Sequence, residues 1–228
     1  SRAALPLLAL SRAVALTAAS ALDGATVQAG QKDAAWQRVG ADLRVDGAVS
    51  EAQVARVADA LGVDAAASFL TTPNVHLALS TESVIVTMLA VDGRYSTVLH
   101  ALPKIPGLAQ PSPTDALGRL ASATAPAGRL PGVVGAELAG KLRSQDVTMS
   151  VGDHDIPLRV VGTAGAGPDG YIGGPFIYVD LASLSQELSR QVKADSLLVV
   201  GDGARRAVAD AGISHATIQT RAGWIRSW

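Results

Sequence analysis

From Ala3 to Val27 the chain reads AALPLLALSRAVALTAASALDGATV, a run almost wholly apolar with no proline after Pro6 and no glycine before Gly24. As a helix it is about long enough to cross the hydrocarbon core of a bilayer. It therefore constrains the rest of the chain. It can be a membrane span, a stalk, a signal peptide or a helix of a folded core. Two charges complicate the first option. Arg12 and Asp23 are about three helical turns apart and so lie on nearly the same face. A lipid-facing charge near the bilayer centre costs roughly 2.5–3.5 kcal/mol on insertion scales. If the run spans a membrane, that face packs against other helices or water, unless the segment was altered for solubility. Ala19-Ser20-Ala21 resembles a signal-peptidase site, but Arg12 breaks the apolar stretch that should precede it.

The bulk numbers exclude several function classes. The 228 residues allow one large domain or two small ones, with a core that needs no staples. A net charge of −1 gives no electrostatic case for a nucleic-acid partner. The absence of cysteine removes disulfides and thiolate metal sites. Arginine outnumbers lysine 15 to 4, a compositional bias rather than a chemistry. The first residue is Ser, so an excised piece of a longer protein is expected.

Beyond the apolar run, a polar helical extension should end at Gly40, followed by a short strand from Ala41 to Val45. SEAQVARVADALG is the clearest helix. Ser50 and Gln53 make a capping box, Val54, Val57, Ala58 and Leu61 form an apolar stripe, and Gly62 is placed to stop it. AAASFLTT and VHLALS read as strands, and SVIVTMLAVD as a central strand covered on both faces. Tyr95 to Leu102 and Thr114 to Ser122 suit short helices, with a proline-rich loop, Pro103 to Pro113, between them. After a short helix in VGAELAGKL, DVTMSV-GDHD-IPLRVVGT is the best hairpin, because apolar and polar residues alternate on both arms. PFIYVDLASLSQEL runs from strand to helix with Asp180 as cap. Strand, turn and helix follow in ADSLLVVGDGARRAVADAGI, then a strand in HATIQT and the start of a helix in RAGWIRSW. The expected fold class is α+β, a mixed or antiparallel sheet with packed helices, preceded by a long N-terminal helix.

Motifs with catalytic chemistry are weak. The glycine-rich GTAGAGPDGYIGG leads into an apolar strand, not a helix, which is the wrong setting for a phosphate cradle. VVGDGARRAV lies between strand and helix but lacks the third glycine of a dinucleotide fingerprint; a left-handed turn explains it. Asp153, His154 and Asp155 are adjacent in a turn and point in different directions, a poor metal site. His76, His100 and His215 are isolated. No nucleophile-elbow serine or metalloprotease motif occurs. No catalytic, cofactor-binding or metal-binding residue is assigned, and no enzyme activity is expected.

The order of elements carries more information than any motif. The apolar helix passes into AAWQRVGADLRVDG. A capped helix and strands come next, then GRLPGVVGAELAGKL, the hairpin VTMSVGDHDIPLRVVGTAG, and PFIYVDLASL. Over essentially its whole length the chain resembles the extracytoplasmic domain of FtsX/MacB-type ABC transporter permeases, in the form common in actinobacteria. The resemblance implies a transmembrane or stalk helix at residues 1–28, an external domain at 29–220, and at 221–228 the approach to the next membrane helix. It implies a cell-membrane location, with most of the chain outside. It implies a non-catalytic role, passing ATP-driven motion to an external substrate or partner, with no cofactor in this chain. The partners would be a cognate ABC ATPase, a second permease copy or half, membrane lipid, and an extracytoplasmic lipoprotein, peptide or hydrolase. The alternative is a secreted binding domain released by signal cleavage. Trp224 and Trp228 are candidates for the membrane interface, where tryptophan is favoured, and Arg12 and Asp23 for the polar face of the membrane helix. Trp36, some ten residues beyond the apolar run, suits either the interface or the core. The loops Pro103 to Pro113 and Ala164 to Gly174 are contact surfaces or plain connectors.

Overall fold

The computed structural model describes residues 4–79, 82–102, 116–118, 120, 128–164, 174–214 and 216–226, with side chains from residue 19 onward except that of residue 37. In chain order the elements are α1 (Ala4–Val39), β1 (Leu43–Val49), α2 (Glu51–Ala58), β2 (Ala65–Ala78), β3 (Ser83–Val91), α3 (Tyr95–Ala101) and β4 (Leu130–Gly135). They continue with α4 (Ala136–Ala139), β5 (Asp146–Val151), β6 (His154–Ala164), β7 (Phe176–Asp180), α5 (Leu181–Glu187), β8 (Ala194–Val200), α6 (Ala204–Asp210), β9 (Thr217–Thr220) and α7 (Arg221–Arg226). The fold is α+β with a mixed sheet. Most pairs are antiparallel, and β3–β7 and β4–β6 are parallel.

The sheet order is β3-β7-β4-β6-β5-β2-β8-β1-β9, and β3 also pairs with β2. That extra pairing closes six strands, β2-β3-β7-β4-β6-β5, into a ring, from which β8, β1 and β9 extend as an open sheet. The strand β2 belongs to both parts. Its first half pairs with β8 (Ala65↔Val200 to Phe69↔Ser196) and its second with β5 (His76↔Ser150 to Ala78↔Thr148). AAASFLTT and VHLALS, expected as two strands, are therefore one. Pro73 and Asn74 do not end it, because they fall at a register shift against β3 between Thr72 and Val75, where Asn74 takes a positive φ of 57°.

Alternation sets what each face buries. On β3, Met88 and Ala90 enter the ring's interior with Leu77, Met149, Leu158 and Ile177. Leu89 and Val91 face the other way, into a core that also holds Phe69, Tyr95, Tyr178 and Leu198. This strand is thus covered on both faces from Met88 onward, as its unbroken apolar run predicts. The second core joins ring and open sheet through aromatic contacts: Phe69–Tyr95 at 6.2 Å, Tyr95–Tyr178 at 6.1 Å and Tyr178–Phe176 at 5.5 Å between centroids. On the far face of the open sheet, Leu43, Val45, Leu197 and Val199 pack under α2 and α6. The hairpin β5–β6 turns at Gly152-Asp153 with Val151 opposite His154, and Val147, Met149, Ile156 and Leu158 point inward.

Both expected caps form. The Ser50 hydroxyl accepts from Gln53 N while the Gln53 side chain accepts from Ser50 N, and Asp180 accepts from Ser183 N at 2.8 Å. The stripe on α2 is shorter than its sequence suggests. The helix stops at Ala58 with Asp59 as its C-cap, so Leu61 lies in the following turn and is 99% exposed, while Val54 and Val57 are buried. The strand expected at Ala41–Val45 forms instead at Leu43–Val49. Of the helix expected from Thr114 to Ser122, residues 116–118 and 120 are described and helical, and Ala116, Leu117 and Leu120 are buried. The proline-rich and glycine-rich loops, 103–113 and 165–173, and His215 lie outside the described residues.

Candidate functional site

Chain entry to and exit from the sheet lie side by side. The strands β1 and β9 are antiparallel with Leu43 opposite Thr220, so the end of α1 and the start of α7 meet at one corner. The helix α1 ends where expected. Gly40, at φ 80°, donates its N–H to the carbonyl of Trp36 at 2.8 Å, a glycine C-cap. At the other lead, the Thr220 hydroxyl accepts from Gly223 N at 3.0 Å and caps α7. The two helices pack against each other.

Asp42, between α1 and β1, binds this corner together. Its Oδ1 accepts from Arg221 Nη2 at 2.7 Å, its Oδ2 from Gly201 N at 3.1 Å, and its carbonyl from Arg221 N at 3.1 Å. The Arg221 guanidinium lies over the Trp36 ring at 4.1 Å, an arrangement worth about 0.5–2 kcal/mol depending on desolvation. Trp36 is buried, so of the two roles it suited it takes the core one. Four residues further along, on β1, Asp46 accepts from Arg44 Nε at 2.6 Å, Gln219 Nε2 at 2.9 Å and Ser196 Oγ at 3.3 Å, linking β1, β8 and β9.

The turn that donates to Asp42 is built on close backbone approach. Gly201, at φ 127°, and Gly203 press on the segment from Leu61 to Asp64. A Cβ on Gly201 would collide with the Gly62 carbonyl and come within 2.9 Å of Asp64 N. Gly203 N donates to Gly62 O and Asp64 N to Val200 O, both at 2.8 Å. The glycines of VVGDG thus serve backbone contact as well as a turn.

A second feature is an open cleft of about 840 Å³, lined by Ser50, Glu51, Asp92, Arg94, Asp180 and Lys193 among others. It sits where the parallel strands β3 and β7 end, with Val91 opposite Asp180. Asp92 accepts from Ser68 N at 2.7 Å, Ser68 Oγ at 2.9 Å and Arg94 N at 2.8 Å. Burial nevertheless raises its pKa above the ordinary carboxylate value, outweighing those hydrogen bonds and the Arg94 charge. Asp195 is raised for the same first reason. Among the described residues no group of three or more histidines and carboxylates is placed to hold a metal ion. The hairpin turn is shorter than GDHD: His154 and Asp155 lie on β6, where Asp155 accepts from Ser150 Oγ at 2.6 Å. His76 and His100 are exposed on different elements.

Of the candidate membrane residues, Asp23 and Trp224 have described side chains. Asp23 is exposed on α1, near the exposed apolar side chains of Leu22 (69%) and Val27 (58%). Trp224 is half-buried on α7. Trp228 and the side chain of Arg12 lie outside the described residues. Among those residues no helix is long and apolar enough to cross a membrane, and most of the run from Ala3 to Val27 lies outside the described side chains. The residues that organise the junction, Asp42 and Arg221, carry no motif. Their separation in sequence hides the pair, and only the β1–β9 pairing reveals it.

No family model matches the sequence, and no curated protein matches it. Among solved structures, the extracellular domain of the noncanonic ABC-type transporter YknZ from Gram-positive bacteria is similar at 15% identity and a TM-score of 0.48, over 79% of this chain and 83% of that one. The periplasmic region of MacB from Actinobacillus actinomycetemcomitans is similar at 8% identity and a TM-score of 0.53, over 81% of this chain and 91% of that one. The chain thus shares the fold of the MacB periplasmic region, as its resemblance to extracytoplasmic permease domains implied.

Proposed function

We propose that the chain is a non-catalytic extracytoplasmic domain of an ABC transporter permease, passing ATP-driven motion across the membrane to an external substrate or partner. The observation that carries this is the junction. A domain inserted between two membrane helices must receive and return the chain on one side, and here α1 and α7 leave one corner of the sheet, with Leu43 opposite Thr220. The shared fold supports the same reading. So do Leu22 and Val27, which stand exposed on α1 where lipid or neighbouring helices would cover them.

On this reading residues 1–28 form the membrane or stalk helix, 29–220 the external domain and 221–228 the approach to the next span. Arg12 and Asp23 mark the face of the first helix turned from lipid, and Trp224 and Trp228 sit at the membrane interface. A cognate ABC ATPase supplies the nucleotide chemistry, a second permease copy or half completes the assembly, and an extracytoplasmic lipoprotein, peptide or hydrolase receives the motion.

The test uses the protein encoded by the full reading frame, in its native membrane. The chain has no cysteine, so Asp153→Cys, at the exposed hairpin turn, is a unique thiol within this domain. A membrane-impermeant maleimide should label it from outside, on protein that sediments with membranes. Labelling only after lysis overturns the proposal. Recovery from the medium with an N-terminus just after Ala21 overturns it in favour of a secreted binding domain.

A further inference from the structure

The fastening between α1 and α7 is stronger than a surface ion pair needs to be. An exposed Asp–Arg contact contributes little to stability and holds no fixed geometry. At this corner the Asp42 and Arg221 side chains are 27% and 36% exposed. The two residues meet twice, through side chains at 2.7 Å and through backbone at 3.1 Å. The guanidinium plane is fixed again by the Trp36 ring on α1. The second carboxylate oxygen of Asp42 is committed to Gly201 N. Gly201 belongs to the turn locked against Gly62–Asp64, and Asp64 leads directly into β2, the strand shared by ring and open sheet. A continuous set of short contacts thus runs from both leads into the strand that spans the domain.

We propose that Asp42 is the positioning residue of a yoke. It holds α1 and α7 as one lever and ties that lever to the β8–α6 turn, so the two leads drive the domain as a single body. This deepens the permease reading and rests on it for its purpose, but the yoke itself is a property of the chain. If the helices instead spread or slid past each other, a displacement of one lead would be absorbed at the corner and not reach β2.

The experiment is a pair of spin labels at Ala29→Cys on α1 and Arg226→Cys on α7, both exposed positions, read by pulsed dipolar spectroscopy. In the 228-residue chain the native distance distribution should be narrow. Asp42→Ala should broaden it roughly twofold, on the scale of small helix shifts at a packed contact. Asp42→Asn, which keeps an acceptor for Gly201 N and lets the corner fold, should broaden it less. A native distribution as broad as that of both variants overturns the yoke. In the full-length protein the α1–α7 distance should be the same with and without trapped ATP. A change of more than about 5 Å, one helical pitch, overturns single-body movement. A narrow distribution in the isolated chain, with a full-length protein that does not sediment with membranes, keeps the yoke and removes the permease reading.

Discussion

Gly201→Ala is the sharpest test of the packing around the junction. Gly201 takes φ 127°, which L side chains rarely adopt, and its Cβ would strike the Gly62 carbonyl and approach Asp64 N at 2.9 Å and Val63 Cα at 3.0 Å. All three are backbone atoms and cannot swing aside. The two segments must part, which strains or breaks Gly203 N→Gly62 O, Asp64 N→Val200 O and Gly201 N→Asp42 Oδ2. The left-handed conformation costs about 1–2 kcal/mol, and each buried backbone group left unpaired about 1–3. With one or two such groups left unpaired, the change totals about 2–8 kcal/mol, centred near 5. For a chain of this size each kcal/mol lowers Tm by about 2–4 °C, so Tm should fall by roughly 10 °C or more. Gly152→Ala is the control. Gly152 also has a positive φ, 60°, but nothing lies within 4 Å of its Cβ, so only the conformational cost of about 1–2 kcal/mol applies and Tm should drop by about 2–8 °C. Thermal melts of the two variants by circular dichroism decide the matter. Equal shifts would show that Gly201 is an ordinary left-handed turn and that the close approach of the two segments has no energetic weight.

Two further outcomes follow from burial. Leu61→Ser should change stability by less than about 0.5 kcal/mol in urea titration, because Leu61 is 99% exposed in the turn after α2, whereas Val57→Ala, at a fully buried position on α2, should cost about 2 kcal/mol. Asp92 makes stability depend on pH in a stated direction. Burial raises its folded pKa above 3.8, so its contribution is fully present below that value and is lost as pH rises through the raised one. Asp92→Asn cannot ionise and leaves one of the donors from Ser68 or Arg94 unpaired, at a cost of about 1–3 kcal/mol. The native chain's advantage over Asp92→Asn should therefore narrow as pH climbs through the acidic range, read from denaturant midpoints. A gap that widens instead contradicts the burial argument.

Local signals in the sequence translated directly into structure. Ser50 with Gln53, Asp180 before its helix, Gly40 after α1 and the alternation through Val147, Met149 and Leu158 each specify geometry within a few residues, and each is found as expected. What failed locally failed through tertiary override. Leu61 keeps the helical spacing of Val54 and Val57, but the chain turns at Asp59 to bring Gly62 against Gly203, and the leucine is carried outward. Pro73 and Asn74 look like a break, yet pairing with β3 carries β2 through them as a bulge. The site was less legible than the fold. Asp42 and Arg221 are unremarkable in sequence, and Trp36 has two plausible settings until the antiparallel register of β1 and β9 places the arginine over its ring. Long-range pairing carries no local sequence signature.

The position of β1 also fixes when this domain can fold. Leu43, the first residue of the first strand, pairs with Val199 on one side and Thr220 on the other. The ring likewise closes only when Phe176–Asp180 reaches β3. These are contacts of high sequence separation, whose loop-closure entropy must be met before they stabilise anything. During synthesis α2 and the β2–β3 hairpin emerge early, but β5, β7 and β8, which pair with β2 and β3, begin only at Asp146 and beyond. The sheet can therefore be completed only after β9 has been made. The N-terminal lead is available to be inserted or exported while the rest is still unstructured, and the Asp42–Arg221 contact forms among the last.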